Sequence, residues 1–401
     1  MAGVKKMINF YDHQQKELYE TKDLNKVAYY HDMGLGKTFT GAEKLVQLGA
    51  KVNLVICQKS KINDWIEHFG KYYIGAQKYN LTDKKSFELF LTATEKFYTG
   101  KLKIFIVGFI NYELVFRRLE LLKLKDFTLL LDESSLIQNE KAKRTKFIMK
   151  LNFKNLILLS GTPTSGKYER LWSQLHLLGW NISKELYWRQ YIDTETIDNQ
   201  GFPIKVVKGY KNVNRLKQKM RDYGCRFLKT EDVFNLPNQM FNTINIETTK
   251  EYKQFRKSRI VTIDNQELVG DTILTKMLYE RMLCGAYNLP KIHALSDLLE
   301  STEDRVIIFY NFDNELATIV NLCTELNKPM SIVNGKTKNL NDYEMYNNSV
   351  TIIQYQAGAM GLNLQKANKI IYFTPTLSSE LFEQSKKRIH RIRSGTDLFL
   401  L

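Results

Sequence analysis

The sequence has few cysteines, prolines and glycines for its 401 residues. Its four cysteines, Cys57, Cys225, Cys284 and Cys323, stand far apart and form no CxxC pair. This spacing suggests neither a zinc ribbon nor a disulfide framework. With 6 prolines and 21 glycines, the chain has no collagen-like or linker-like bias. Because 43% of the residues are hydrophobic, we expect a globular chain, and its length of 401 residues suggests two or three domains.

Long apolar runs are also missing. No window approaches the roughly 20 consecutive apolar residues that a membrane span requires. The first residues, MAGVKKMINFYDHQQ, contain no apolar signal-peptide core. The sequence therefore predicts a cytoplasmic protein without a membrane partner.

Two kinds of catalytic site have no support in the sequence. The six histidines show no HxxH or HExxH spacing, so metal ligation by histidine is not expected. A GxSxG elbow is absent, which argues against Ser-His-Asp hydrolase chemistry.

Charge points to the class of partner. Lys and Arg number 59 against 43 Asp and Glu, which gives a formal net charge of +16. Such an excess of positive charge is typical of proteins that bind a polyanionic partner. Charge alone does not choose between nucleic acid, an anionic membrane and a merely solvated surface.

The hydrophobic pattern predicts an α/β fold. Short β-branched or leucine-rich runs alternate with longer amphipathic stretches, as in a parallel sheet covered by helices. The predicted strands are 52–56, 103–107, 127–131, 155–159, 305–310, 350–354 and 369–373. Residues from about 245 to 290 contain no strand-like run. We therefore expect two α/β domains, 1–245 and 291–401, joined by a helical connector over 246–290.

A glycine-rich segment precedes the first predicted helix. It runs His31-Asp32-Met33-Gly34-Leu35-Gly36-Lys37-Thr38. Gly34 and Gly36 allow positive φ, so that backbone N–H groups and the helix N-terminus can hold phosphate oxygens. Lys37 would reach the β- and γ-phosphates and Thr38 would bind Mg²⁺. The strict pattern GxxxxGK[ST] fails at His31, and a glycine-rich surface turn is the alternative.

An acidic pair follows a predicted buried strand. Asp132 and Glu133 come directly after the run 127–131, at the carboxyl end of that strand. A carboxylate at this position is expected to coordinate Mg²⁺, so we assign Asp132 to the metal. We assign Glu133 to the polarisation of the attacking water. By itself the pair is also compatible with a solvated loop. Its position after the glycine-rich segment favours the site.

These motifs and those that follow resemble the Swi/Snf-type DNA-dependent ATPases of helicase superfamily two. The glycine-rich segment is similar to DEMGLGKT, and Gln356 to Leu364 is similar to KAGGxGLNL. The other matching segments, in chain order, are Phe10 with His13 and Gln14, 55–69 with Trp65, 138–144, Ser160-Gly161-Thr162-Pro163 with Leu171-Trp172, 228–233 with Leu236-Pro237, and 384–392. The matches cover about 380 residues.

The resemblance implies a fold and further site residues. The fold would be two RecA-like parallel-sheet domains in tandem, with a nucleotide cleft between them. Gln14 would recognise adenine, Gly361 would lie at the nucleotide, and Arg388 and Arg391 would be arginine fingers. The cofactors would be ATP and Mg²⁺.

The sequence departs from the family pattern after Glu133. Ser134 and Ser135 follow, where relatives have DEAH or DEGH. The imidazole that couples the ATP state to the cleft in relatives is therefore replaced. Residues 398–401 form an apolar run typical of a further strand, so we expect the second domain to be incomplete at its end.

Two basic stretches without acidic residues are candidates for DNA binding. The first spans 141–154 and the second 205–221. The candidate phosphate contacts in them are Lys141, Lys143, Arg144, Lys208, Lys211 and Arg215. Either stretch is also compatible with a solvated helix face.

The sequence thus favours an ATP-dependent translocase or helicase acting on double-stranded DNA. Small size and richness in Lys, Asn and Ile suggest replication or repair in a bacterial cell or, for a viral protein, in the host cytoplasm. One alternative is a single-strand DNA or RNA helicase. Another is a nucleic-acid-binding, nucleotide-sensing clamp with weak ATPase activity.

Overall fold

The computed structural model describes residues 8–102, 104–164, 166–199, 202–234, 239–358, 362, 364–387 and 396–400. The chain divides into two compact units, Met1–Val233 and Phe234–Leu401. Within the described ranges, no helix is both long enough and apolar enough to cross a membrane.

The first unit is built on a parallel sheet of seven strands. These strands are β1 Lys26–His31, β2 Val52–Cys57, β3 Gln77–Asn80, β4 Ile106–Asn111, β5 Phe127–Asp132, β6 Phe153–Leu159 and β9 Cys225–Leu228. Their order in the sheet is β3-β4-β2-β5-β6-β1-β9. A separate antiparallel hairpin consists of β7 Ile192–Asn199 and β8 Phe202–Tyr210.

Helices cover both faces of this sheet. They are α1 Asp12–Glu20, α2 Lys37–Gln47, α3 Ile62–Tyr72, α4 Lys84–Tyr98, α5 Tyr112–Val115, α6 Lys143–Ile148, α7 Trp172–Leu178, α8 Lys184–Tyr191 and α9 Val213–Asp222. The central strands are apolar on both faces. In β5, for example, Leu129 and Leu131 pack into one core cluster and Leu130 packs into the other. This two-sided burial explains why the strand is a continuous leucine run.

The second unit contains a parallel sheet of six strands. They are β10 Gln239–Thr243, β13 Val306–Tyr310, β14 Met330–Val333, β15 Val350–Gln354, β16 Lys369–Tyr372 and β17 Thr396–Leu400, in the order β10-β17-β16-β13-β15-β14. A short antiparallel hairpin adds β11 Ile260–Ile263 and β12 Gln266–Val269. The helices are α10 Lys250–Ser258, α11 Ile273–Leu283, α12 Leu289–Glu300, α13 Asp313–Glu325, α14 Asn341–Met345, α15 Tyr355–Gly358 and α16 Ser379–Lys386.

The α/β prediction is confirmed, with two corrections. The strand predicted at 103–107 begins only at Ile106 and continues to Asn111, because the apolar run extends through Phe109 and Ile110. The expectation of no strand between 245 and 290 is wrong. The β11–β12 hairpin turns at Asp264-Asn265, where both residues have positive φ, at 49° and 62°. Such a turn suits a two-residue hairpin, and Asp and Asn tolerate it.

Candidate active site

The glycine-rich loop connects β1 to α2 in the first unit. Gly36 is the N-cap residue of α2 and has a φ of 72°, while Gly34 has a φ of 89°. A Cβ atom on Gly36 would lie 2.3 Å from Nε2 of Gln14. Glycine is therefore required at position 36 by its backbone conformation and by the close approach of Gln14.

Helix α1 holds this loop. The Gln14 side-chain amide donates to the carbonyl of Gly36 at 3.2 Å, and Nε2 of His13 donates to the carbonyl of Leu35 at 3.0 Å. Oε1 of Gln14 in turn accepts from the backbone N–H of Tyr11 at 3.0 Å. The residue predicted to recognise adenine thus lies directly against the predicted phosphate loop.

Lys37 is the first residue of α2, and Thr38 is the second. Nζ of Lys37 donates to the carbonyls of His31 at 2.9 Å and Asp32 at 3.1 Å. A Cβ atom on Gly161 would lie 3.4 Å from the same Nζ. The loop 160–163 therefore runs close to Lys37, and the glycine leaves room for its ammonium group.

Asp132 ends β5, which is separated from β1 by the single strand β6. Nε1 of Trp65 donates to its Oδ2 at 2.9 Å, and the Tyr112 hydroxyl donates to its carbonyl at 2.9 Å. Burial raises the pKa of Asp132, while the Trp65 hydrogen bond and the Lys37 ammonium oppose this shift. Because β1 and β5 both run parallel to β6, the loop after β1 and the acids after β5 lie at the same edge of the sheet.

Glu133 has an unusual backbone conformation. Its φ is 54° and its ψ is 58°, in the left-handed region. For a residue other than glycine this conformation costs about 1–3 kcal/mol, and such strain clusters at functional sites. A short 3₁₀ turn, Ser134–Ile137, follows directly. The chain therefore leaves β5 through a sharply bent residue at the carboxyl edge of the sheet.

The donor set at this edge suits Mg²⁺. A hydroxyl from Thr38 and a carboxylate from Asp132 are the oxygen ligands that Mg²⁺ prefers. The part of the chain that the structure describes contains no group of three His, Cys, Asp or Glu side chains able to hold a metal ion. A Mg²⁺ ion at this edge would therefore depend on nucleotide phosphates and water for its other ligands.

Several residues of the site had no role assigned from sequence. Trp65 belongs to a matched motif, but its hydrogen bond to Asp132 was not foreseen. The sequence gives no signal for Tyr112, or for Gln174, whose side-chain oxygen accepts a hydrogen bond from the Ser134 hydroxyl at 2.8 Å. Three other predicted residues, Gly361, Arg388 and Arg391, lie outside the described residues.

The predicted DNA contacts differ in their exposure to solvent and in their ion pairing. Lys141, Lys143, Lys211 and Arg215 are exposed, and Arg144 is partly buried. Lys208, on β8, forms an ion pair with Glu195 on β7 at 3.5 Å. The negative charge of Glu195 beside Lys208 makes Lys208 a weaker candidate for a phosphate contact.

A basic groove of about 650 Å³ lies between α8 and the start of the β7–β8 hairpin. It is lined by Lys184, Glu185, Trp188, Arg189, Ile192, Asp193, Thr194, Lys205 and Lys211. Lys184 also forms an ion pair with Glu140, the residue before Lys141. This ion pair brings the groove next to the first basic stretch, so the two stretches lie on neighbouring surfaces of the first unit.

Comparison with known proteins gives two family matches. Residues 17–289 match the SNF2-related domain, and residues 290–393 match the helicase conserved C-terminal domain. The chain belongs to the SNF2-related family. This membership confirms the resemblance drawn from the motifs and makes the chain a member of an ATPase family.

Curated relatives extend over most of the chain. The ISWI chromatin-remodeling complex ATPase ISW1 of Saccharomyces cerevisiae is 22% identical over 417 residues, covering 92% of this chain and 36% of the relative. An uncharacterized ATP-dependent helicase of Mycoplasma pneumoniae is 25% identical over 394 residues, covering 90% of this chain and 36% of the relative. The chain thus spans about a third of the length of the curated relatives it matches.

A solved structure has the same fold. The Sulfolobus solfataricus SWI2/SNF2 ATPase core in complex with dsDNA matches with a TM-score of 0.50 and 18% identity. The match covers 100% of this chain and 89% of the solved one. The prediction of two RecA-like domains is thereby confirmed at the level of the fold.

Proposed function

We propose that this chain hydrolyses ATP in response to double-stranded DNA and uses the energy to move along the duplex. The observation that carries the proposal is that the glycine-rich loop with Lys37 and the acid Asp132 both follow the carboxyl ends of parallel strands, β1 and β5, which are separated only by β6. These groups come from segments almost a hundred residues apart. Their juxtaposition supplies a cation for phosphate and an anion for metal in one place.

Each site residue has a role in this proposal. Backbone N–H groups of the loop around Gly34 and Gly36 hold the phosphates, and Lys37 binds the β- and γ-phosphates. Thr38 and Asp132 hold Mg²⁺, which would neutralise phosphate charge when bound. Glu133 accepts a proton from the attacking water.

The remaining predicted residues act at the ends of the nucleotide. Gln14 recognises the adenine, and Gly361 lies near the nucleotide. Arg388 and Arg391 stabilise the charge that develops on the transferred phosphoryl group, because a planar guanidinium can bond two phosphate oxygens at once. The assignments of Gly361, Arg388 and Arg391, which lie in the second half of the chain, rest on the sequence motifs.

Double-stranded DNA is the proposed partner on three grounds. The net charge of +16 favours a polyanion. Lys141, Lys143, Lys211 and Arg215 are exposed, and Lys211 lines the basic groove. Several curated relatives carry names of chromatin-remodelling ATPases, and the Sulfolobus core was solved with dsDNA.

We also propose a domain division, a pathway and a location for this chain. Along the sequence we assign an ATP-binding domain to 1–245, a connector to 246–290 and a second RecA-like domain to 291–401, whereas the compact units divide between Val233 and Phe234 and β10 pairs with β17 of the second sheet. We further propose that the protein acts in replication or repair, in the cytoplasm of a bacterial cell or of a virus-infected host.

The experiment that tests the function measures ATP turnover with a panel of polynucleotides. We expect duplex DNA to stimulate turnover more than single-stranded DNA or RNA at equal nucleotide concentration. Greater stimulation by single-stranded DNA or RNA would indicate a single-strand DNA or RNA helicase instead of a duplex translocase. Absence of turnover with every polynucleotide, together with nucleotide-dependent DNA binding, would indicate a nucleotide-sensing clamp.

A further inference from the structure

Gln174 on α7 is fully buried and bonds to three different segments. Its Oε1 accepts hydrogen bonds from the hydroxyl of Ser134 at 2.8 Å and the hydroxyl of Tyr30 at 3.0 Å. Its Nε2 donates to the carbonyl of Pro163 at 2.9 Å. One side chain thus connects β1, the residue after Glu133 and the loop 160–163.

Two of these segments border the proposed catalytic groups. Ser134 follows Glu133 directly and is itself fully buried. The loop 160–163 contains Gly161, which lies close to Nζ of Lys37. Gln174 therefore bonds the loop that carries the proposed general base to the loop beside the phosphate-binding lysine.

The three hydrogen bonds of the Gln174 side chain can transmit a movement of one bonded segment to the others. Buried polar groups are costly to leave without partners, so the three bonds should persist while the segments shift together. Additional bonds support the same region. The Ser173 hydroxyl donates to the carbonyl of Ile137 at 2.6 Å, at the end of the 3₁₀ turn after Glu133. Helix α7 is thus fixed to this turn at two adjacent residues.

We propose that Gln174 is a positioning residue that couples the loop 160–163 to Glu133 through Ser134. The proposal rests on the DNA-stimulated ATP hydrolysis proposed above. It assigns to Gln174 the coupling that the imidazole at the place of Ser135 is expected to supply in relatives. Movement of the loop 160–163 on DNA binding would reach Ser134 through Pro163 and the Gln174 amide, and would reorient the adjacent Glu133.

The test uses the full chain with Gln174→Met, which keeps the length of the side chain and removes the three hydrogen bonds. We expect the KM for ATP to stay within about twofold, because no phosphate or metal ligand changes. Duplex-stimulated kcat should fall about tenfold, because small displacements of a catalytic group lower the rate strongly. Turnover without DNA should fall much less.

Thr128→Val is the matched control for a buried hydrogen bond. The Thr128 hydroxyl accepts a hydrogen bond from Nδ2 of Asn155 at 3.1 Å, at the other end of β5 from Asp132. We expect this variant to lower the unfolding midpoint without changing the ratio of duplex-stimulated to basal turnover. If Thr128→Val lowers that ratio as much as Gln174→Met does, the loss reports stability and the coupling role is wrong.

A double variant separates positioning from packing. Adding Ser134→Ala to Gln174→Met removes the buried hydroxyl left without its acceptor, so the unfolding midpoint should rise relative to Gln174→Met alone. Stimulation by duplex should remain low. Recovery of stimulation together with the midpoint would contradict the proposal.

Amide hydrogen exchange tests the connection without turnover. Gln174→Met should speed exchange in both 133–137 and 161–164 relative to the unaltered chain. Acceleration in only one segment, or in neither, would overturn the coupling. If the unaltered chain hydrolyses no ATP, the proposed function fails, whereas normal stimulation in Gln174→Met defeats only the role of Gln174.

Discussion

The indole of Trp65 on α3 donates a hydrogen bond to Oδ2 of Asp132 at the end of β5, at 2.9 Å. The two residues are 67 positions apart in the chain. The bond orients a carboxylate that we assign to Mg²⁺, and it opposes the effect of burial on the pKa of that carboxylate. Removing a group that orients a metal ligand commonly lowers metal affinity or activity by roughly 10- to 100-fold.

Trp65→Phe should weaken the use of Mg²⁺. The ring would still fill the core, but the donor to Asp132 would be lost. We expect the Mg²⁺ concentration for half-maximal ATP turnover to rise about tenfold, as is usual when a partner of a metal ligand is removed. The measurement is a Mg²⁺ titration of turnover at fixed ATP. An unchanged half-maximal concentration would show that Trp65 serves packing alone.

The general features of the site follow from sequence, while its supporting contacts do not. A leucine run that ends in Asp132 and Glu133 predicts a buried strand with acids at its carboxyl end, and the structure has this strand. The hydrogen bonds from Trp65 to Asp132 and from Ser134 to Gln174 join residues far apart in the chain. Such pairs depend on the order of strands in the sheet, which periodicity does not specify.

The same limit applies to the basic residues. The stretch 205–221 reads as one run without acids, yet the structure divides it between β8, a turn and α9. Pairing of β8 with β7 places Glu195 next to Lys208. Counting charges along the chain could not reveal this neighbour, because it comes from the opposite strand of the hairpin.

The exposed residues of that stretch should control the salt dependence of DNA binding. Lys211→Ala with Arg215→Ala should reduce the slope of log affinity against log salt by roughly 1 to 2, because each phosphate contact contributes about 0.9 to that slope for duplex DNA. Lys208→Ala is the control and should change the slope less, because the Glu195 carboxylate, 3.5 Å from the Lys208 ammonium group, offsets part of its charge. Equal slopes in the unaltered chain, the double variant and Lys208→Ala would mean that the stretch 205–221 is a solvated surface that does not bind DNA phosphates.

His68 should make the stability of the first unit depend on pH. Burial, with a smaller effect from Lys71, lowers the pKa of His68 to about 4. Between an ordinary pKa of about 6.5 and this value, the unfolded chain binds a proton that the folded chain does not. This group therefore removes stability as the pH falls through that range, by up to about 3 kcal/mol.

His68→Leu isolates this effect. The ring of His68 packs edge-on against Phe39 on α2, with ring centroids 4.7 Å apart, so an apolar replacement should keep the burial. Urea unfolding at pH 7, 6 and 5 should show a smaller loss of stability in the variant than in the unaltered chain. Parallel pH profiles would mean that His68 does not titrate between the two states.

Arg391→Ala should reduce duplex-stimulated turnover far more than nucleotide affinity. An arginine finger stabilises charge in the transition state and is worth about 10³-fold or more in rate. Arg391→Lys should restore little, because an ammonium group lacks the planar fork of the guanidinium. DNA affinity without nucleotide is the control. Loss of that affinity with normal maximal turnover at saturating DNA would make Arg391 a DNA contact.

The central claim is that the edge formed by Lys37, Asp132 and Glu133 hydrolyses ATP when duplex DNA binds. Its most direct test compares the unaltered chain with Glu133→Gln in ATP turnover at saturating duplex, alongside ATP affinity. The variant keeps the phosphate and metal ligands but loses the proton acceptor. We expect ATP affinity to be retained and turnover to fall roughly 10²-fold or more. Equal duplex-stimulated turnover in the two proteins would contradict the account.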